Sequence, residues 1–230
     1  MSRRLSKALA GLSFASPTAY VYDPLTYARA PHEAYLARYG ERTGRILMLG
    51  MNPGPFGMAQ TGVPFGDVRM VRDFLGIQAP VDRPTREHPA RPVLGFACPK
   101  SEVSGTRLWG FARERFGSAE RFFEQFFVAN YCPLAFLEES GKNRTPDRLL
   151  AVERTAVNQA CDAALREAVE LLQPSLILGV GGFAEESAKR AVGDRVRVEC
   201  ILHPSPANPR ANSGWAKIVE EQLRALGVEL

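Results

Sequence analysis

The sequence is poor in the residues that usually staple or metallate a fold. Its 230 residues include four cysteines, three histidines and two tryptophans. Cys98, Cys132, Cys161 and Cys200 lie about thirty or more residues apart, with no C-x-x-C pair and no histidine at zinc-ligand spacing. An iron–sulfur cluster needs four grouped thiolates, which this spacing does not offer. The expectation is therefore four free thiols buried as small hydrophobes, in a reducing compartment, with no metal and no cofactor. Long apolar runs are missing too, so no membrane span and no membrane partner are expected. The segment Met1–Ala10 is a weak imitation of a secretion signal, because Lys7 interrupts its apolar run and no small-residue cleavage site follows. Internal repeats and low-complexity linkers are also absent. The 29 basic and 25 acidic residues leave a net charge of +4, which permits a polyanionic partner without demanding one.

What is present is ordinary for a folded protein, with 45% apolar and 23% charged residues. A chain of this length reads as one domain over residues 1–230 with a substantial core. Residues 1–20, which carry Arg3, Arg4 and Lys7 and no acid, read as a loose N-terminal arm. Four apolar runs predict strands: Ile46–Leu49, Phe126–Ala129, Leu176–Val180 and Val196–Leu202. The first three are nearly continuous, as parallel strands covered on both faces should be. The fourth alternates with Arg197 and Glu199 and suits a sheet edge. The longest helical pattern runs from Thr145 to Gln173, with Thr145 as cap and Pro146 at its first position. Further helices are expected over 31–39, 67–75, 105–116, 118–125, 183–192 and 214–226. The Pro- and Arg-rich stretch from Gln78 to Pro92 reads as a surface loop. Alternating strands and helices predict an α/β protein, three layers deep, around a four-stranded and mostly parallel sheet.

Ligands of such sheets bind beyond the carboxyl ends of the strands. Three polar side chains are expected there: Asn52 after the first strand, Asn130 at the end of the second, and His203 after the fourth. Asn52 belongs to the loop Gly50–Gly66, where five glycines and three prolines in seventeen residues allow close and rigid backbone approach to a ligand. The loop lacks the Lys-Ser/Thr of a phosphate-binding P-loop. His203 opens His203-Pro-Ser-Pro-Ala-Asn-Pro-Arg-Ala-Asn212, a stiff loop without an acid, and imidazole is the side chain that changes charge near neutrality. Asn130, in Val128–Leu134, reads equally as a base-recognising amide or as a cap for loop backbone. His32 and His88 look ordinary. Gly179-Val-Gly-Gly182 follows a strand, but it fails the full dinucleotide fingerprint and reads as a plain strand-to-helix turn.

These stretches resemble the single-strand-selective monofunctional uracil-DNA glycosylase family. Gly50–Gly66 and His203–Trp215 are similar to its two signature motifs, supported by Cys98–Trp109, Asn130–Leu134 and Glu138–Pro146. The resemblance implies the uracil-glycosylase α/β/α fold and excision of uracil and oxidised uracils such as 5-hydroxymethyluracil. By position, Asn52 would orient the attacking water and His203 would stabilise the departing base. Asn130 would read the uracil edge and Phe65 would stack on its ring, with Met51 and Gly54 lining the pocket. Pro204, Ser205, Pro206, Ala207, Asn208 and Arg210 would meet DNA as a wedge. Family members often carry a basic residue where this chain has Ala207. No acid lies beside Asn52 in sequence, so no carboxylate base is assigned. The implied partner is uracil-containing DNA, single- or double-stranded, bound by a monomer in a bacterial cytoplasm or a eukaryotic nucleus. A sibling specificity for mismatched uracil or hypoxanthine is the alternative enzyme. A non-catalytic reader of damaged DNA is the alternative outside enzymes, and it would not need both Asn52 and His203.

Overall fold

The computed structural model describes residues 1–230. In chain order it begins with helix α1 (Ser2–Ala10), strand β1 (Tyr20–Tyr22), helices α2 (Pro24–Tyr27) and α3 (Arg29–Tyr39), strand β2 (Ile46–Gly50) and helix α4 (Met58–Thr61). Helices α5 (Val103–Phe116) and α6 (Ala119–Gln125) follow, then strands β3 (Phe126–Asn130), β4 (Ala135–Leu137) and β5 (Asn143–Arg144). The chain closes with α7 (Ala151–Leu172), β6 (Leu176–Val180), α8 (Gly182–Val192), β7 (Val198–Ile201) and α9 (Trp215–Ala225).

The four apolar runs form one sheet in the order β3-β2-β6-β7, and every pairing is parallel. All five residues of β2 and of β6 are buried. Successive strand side chains point to opposite faces, so both faces of the sheet are covered. Helix α8 lies on β2, β6 and β7, with α7 against α8 and α1 against α7; α5, α6 and α9 form the other group, with α6 on β3 and α9 on β7. The outcome is the α/β/α layering that the alternation of elements predicts. A core of 44 buried residues runs through the layers, rich in aromatics such as Trp109, Phe122 and Phe126.

The connection leaving β2 leads to β3 on one side, whereas that leaving β6 leads to β7 on the other. Such a reversal opens a crevice beyond the carboxyl ends of the strands. Asn52 and His203 follow strand ends there, and Asn130 closes β3.

Several expectations need correction. Residues 2–10 are not a loose arm: they form α1, whose Leu9 is 3% exposed and joins the core while Leu5 packs against it. Leu5 and Leu9 sit one turn apart, the spacing of a buried helical stripe. Arg3 pairs with Glu33 and Arg4 with Glu167, which pins the helix at its outer face. The long helix does not begin at Thr145. Pro146–Arg148 make a separate 3-10 turn, Leu149 and Leu150 are extended, and α7 starts at Ala151, where the Glu153 carboxylate accepts the Leu150 N–H at 3.1 Å. The helix expected over 67–75 contains a π-helical turn, Met70–Phe74. A second, antiparallel sheet of β1, β4 and β5 was not expected, since two- and three-residue strands carry no readable alternation. Of the cysteines, Cys132 and Cys161 are buried as expected, whereas Cys98 and Cys200 are only half-buried. No helix is long and apolar enough to cross a membrane.

Candidate active site

Beyond the strand ends lies a cleft of about 290 Å³ whose wall includes Met51, Asn52, Gly54, Phe65, Asn130 and His203. The exit of β2 is tied to that of β3, because Tyr131 N–H donates to Gly50 O and Cys132 N–H to Met51 O, each at 2.9 Å. Asn52 Nδ2 donates to Leu134 O at 3.1 Å. Its amide is thereby oriented, and Oδ1 is left without a protein donor. An oxygen held this way can accept from a water molecule.

Asn130 is the last residue of β3 and lies in register with Gly50. A Cβ at residue 50 would overlap Asn130 Oδ1 and stand 2.5 Å from Phe65 Cε2, so only glycine lets the amide and the ring lie this close to β2. Asn130 Nδ2 donates to Met58 Sδ at 3.2 Å. A thioether is a weak acceptor, so this donor is readily transferred to a better one. Phe65 has φ +53°, an uncommon conformation for a residue with a Cβ. Its carbonyl is held there by Trp109 Nε1–H at 3.1 Å and Asp67 N–H at 2.8 Å. Backbone strain of this kind persists where the surroundings fix it, and here it presents an aromatic ring to the cleft.

His203 Nδ1 accepts from Ser205 N–H at 3.0 Å. A ring nitrogen that accepts carries no proton, so the neutral ring keeps its hydrogen on Nε2. Burial pushes the imidazole pKa down to about 4, and the ring is therefore neutral at physiological pH. It is a fixed, uncharged Nε2–H donor on the cleft wall, with its centroid 6.2 Å from that of Phe65. Gly181, at φ +92°, ends β6 beside it, where a Cβ would press on His203 Cβ at 3.1 Å. The glycines after β6 are thus a strand-to-helix turn that makes room for His203.

These side chains match no metal site, and no three His, Cys, Asp or Glu side chains anywhere in the chain are grouped to hold one. A sequence model of the uracil DNA glycosylase superfamily matches residues 37–224. The chain is 51% identical over 228 residues to the single-strand selective monofunctional uracil DNA glycosylase of Bos taurus, covering 98% of this chain and 84% of the relative. It is 50% identical to the protein of the same name from Mus musculus, covering 98% and 82%. The chain belongs to the uracil-DNA glycosylase superfamily. Within it, the chain falls in the single-strand-selective monofunctional family. In architecture it also resembles the crystal structure of Pedobacter heparinus SMUG2, with a TM-score of 0.67 at 22% identity over 98% of this chain and 96% of that one.

For a uracil-DNA glycosylase, the cleft brings together both expected catalytic positions and all four expected pocket residues. Of the expected wedge residues, only Ser205 lines it. Pro204 is buried at the root of the loop, and its carbonyl accepts from Arg107 Nη1 at 2.9 Å, so its ring does not face outward as expected. Pro206, Ala207 and Arg210 are exposed beyond the cleft, and Asn208 Oδ1 accepts Arg210 N–H to start the 3-10 turn Pro209–Ser213.

The main omission of the sequence reading is Glu102, the only carboxylate of the cleft wall. It stands just before α5, where its N–H donates to Asp67 Oδ2 at 3.0 Å. Its carboxylate lies against Gly54, and Oε2 accepts Phe56 N–H at 3.3 Å. Burial raises its pKa, the nearby Asp67 charge raises it further, and the Phe56 N–H acts in the opposite sense. Fifty residues of sequence separate Glu102 from Asn52, so only its place in a supporting motif marked it. Ser104, Asn143 and Thr145 also line the cleft, the last two delivered by β5 and its exit.

Proposed function

We propose that this protein hydrolyses the N-glycosidic bond of uracil in DNA and leaves an intact abasic site. The observation that carries the reading is the convergence of the Asn52 amide and a neutral His203 on one cleft that also holds Asn130. Breaking the bond leaves negative charge on uracil O2 and N1 and positive charge on the sugar. His203 Nε2–H donates to O2 as that charge develops, and a donor of this kind contributes roughly 10²–10³ in rate. Asn52 Oδ1 accepts from the water that adds to C1′. Glu102 adds a negative charge that favours the cationic sugar and receives the proton released by the water. Asn130 accepts from uracil N3–H through Oδ1 and donates to O4 through Nδ2, while Phe65 stacks on the flipped ring. Cytosine presents the reverse pattern, and unpaired buried groups cost about 1–3 kcal/mol each.

The same geometry supports oxidised uracils as substrates. In this reading O4 takes the Asn130 Nδ2 donor from Met58 Sδ, and ring position 5 is assigned to the Met58 side of the pocket. Met58 is flexible and polarisable, and Gly54 adds no side chain to this wall. A small substituent such as hydroxymethyl is accommodated there. Extruding a base costs a few kcal/mol, less where pairing is lost, which favours single strands and mismatches while duplexes remain substrates of this monomeric enzyme.

The test is incubation with oligonucleotides carrying uracil or 5-hydroxymethyluracil, single-stranded and paired, followed by alkali. Strand breaks at the target base are expected, with none before alkali. A covalent DNA adduct trapped by borohydride would refute the monofunctional mechanism. Binding without breaks would make the protein a damage reader.

A further inference from the structure

We infer that Phe56, Arg91 and Lys100 form a phosphate-gripping platform at the rim of the cleft, a second DNA contact separate from the loop after His203. Lys100 Nζ stands 4.8 Å from the centroid of the Phe56 ring, and Arg91 Cζ stands 5.5 Å from the same centroid. Both distances lie within the range of cation–π attraction, which fixes a cation without neutralising it. The remaining partners of Arg91 are also uncharged: Nε donates to Gly141 O at 2.9 Å and Nη1 to Ala90 O at 3.1 Å. Neither Arg91 nor Lys100 takes part in any ion pair of the protein. Two full positive charges are thus held on one aromatic ring with hydrogen-bond donors to spare. Lys100 is exposed and Arg91 half-buried, so both reach solvent.

The position of the ring says which anion they meet. Phe56 follows Pro55, a residue of the cleft wall, and its N–H is bound to Glu102, another. Lys100 is two residues before Glu102. The Gly141 carbonyl that holds Arg91 is two residues before Asn143, also on the wall. Three loops therefore meet at Phe56 immediately outside the base pocket. The anion that must pass there when a nucleotide enters the cleft is the sugar–phosphate backbone on one side of it. The aromatic ring serves as a mount for the cations, since both stand within cation–π range of it. Phosphate contacts of this type set the register of a strand and carry no sequence information.

The assignment rests on the reading of the cleft as a base pocket. Its test is the salt dependence of binding to oligonucleotides that carry a stable abasic-site analogue, single-stranded and duplex, for the full chain and for Arg91→Gln, Lys100→Gln and the double variant. Each neutralised phosphate contact contributes about 0.9 to the logarithmic salt slope on duplex DNA and about 0.7 on single strands. Between 50 and 200 mM salt, each single variant should therefore lose about threefold less duplex affinity than the parent, and the double variant about tenfold less. Arg91→Lys should keep the parental slope. The weakening should be equal for oligonucleotides of unrelated sequence. A double variant with the parental slope overturns the platform and leaves the base-pocket reading intact. Weaker binding with an unchanged slope also overturns it, because it would show a structural role alone. A parent protein whose binding ignores salt overturns the platform, and one that binds abasic and undamaged oligonucleotides equally and releases no uracil overturns the base-pocket reading.

Discussion

The proposed chemistry calls for a histidine that stays neutral and an asparagine whose amide is oriented. Ser205 N–H fixes the His203 tautomer, and Leu134 O fixes the Asn52 amide. His203→Ala and Asn52→Ala should each lower the single-turnover rate by about 10²–10³ with little loss of DNA affinity, since both contacts matter chiefly in the transition state. Affinity that falls in step with rate would make either residue a binding contact. The folded pKa of His203, about 4, lies below the ordinary 6.5. The rate should therefore show no inflection near pH 6.5. Stability has the matching sign: between about pH 6.5 and 4 the unfolded chain binds the proton and the folded chain resists it, so stability falls as pH falls through that window. Denaturant melts of the parent and of His203→Asn, compared at pH 7 and pH 5, measure this, and the variant should lose less stability. Glu102 titrates above the usual carboxylate range. The parental rate should rise as that group deprotonates, and Glu102→Gln should be slower and lose this dependence. An unchanged pH–rate profile in the variant would remove Glu102 from the reaction.

At the scale of the element, the loop after His203 is rigid for two reasons. Three prolines stiffen Pro204–Asn212, as the sequence makes plain. Arg107, on α5, then grips both ends of it, donating to Pro204 O and to Asn212 Oδ1, each at 2.9 Å. Asn212 Nδ2 in turn donates to Pro206 O at 3.0 Å. Arg107→Met should keep the stem volume, lose the grip and slow excision from duplex DNA more than from single strands, because only the duplex has to be wedged open. Equal slowing on both substrates would count against a wedge. Ala207, at the exposed tip, has no donor for a phosphate or an orphaned base. Ala207→Arg should tighten binding to an abasic duplex and steepen its salt dependence by about one phosphate contact. The contributions that sequence made legible here were local ones. A proline-rich loop and a histidine at a strand end can be read from neighbouring residues. Arg107 and Glu102 could not, because they reach the site from α5 and its approach, and nothing in a linear spacing encodes which face of a helix turns to a loop a hundred residues away.

For the molecule as a whole, the same distinction holds at the larger scale. The central sheet was legible because parallel strands buried on both faces must be apolar throughout, and β2 and β6 are, as is β3 up to Ala129. The β1-β4-β5 sheet, which delivers Asn143 and Thr145, was not, because its strands are shorter than any periodicity. Helix α1 shows the cost of judging a terminus by charge alone. Its basic residues face outward, but Leu9 is in the core and Ser2 Oγ pairs at 3.1 Å with His32 Nε2, while His32 Nδ1 pairs at 2.9 Å with Gly62 O inside the loop that carries Asn52. Burial lowers the pKa of His32, so the ring is neutral and bridges helix and loop as one donor and one acceptor. Residues 2–10 are therefore part of the folded unit. Leu9→Ala removes a buried leucine and should cost about 2–4 kcal/mol, which lowers Tm by roughly 4–15 °C for a protein of this size. Deleting residues 2–10 should cost at least as much, and it should also lower excision activity well below the melting point, since the His32 contact to the Asn52 loop loses its outer partner. Thermal melts and uracil-release assays at 25 °C on both variants check this. A deletion variant with the parental Tm and rate would return α1 to the status of a dispensable arm.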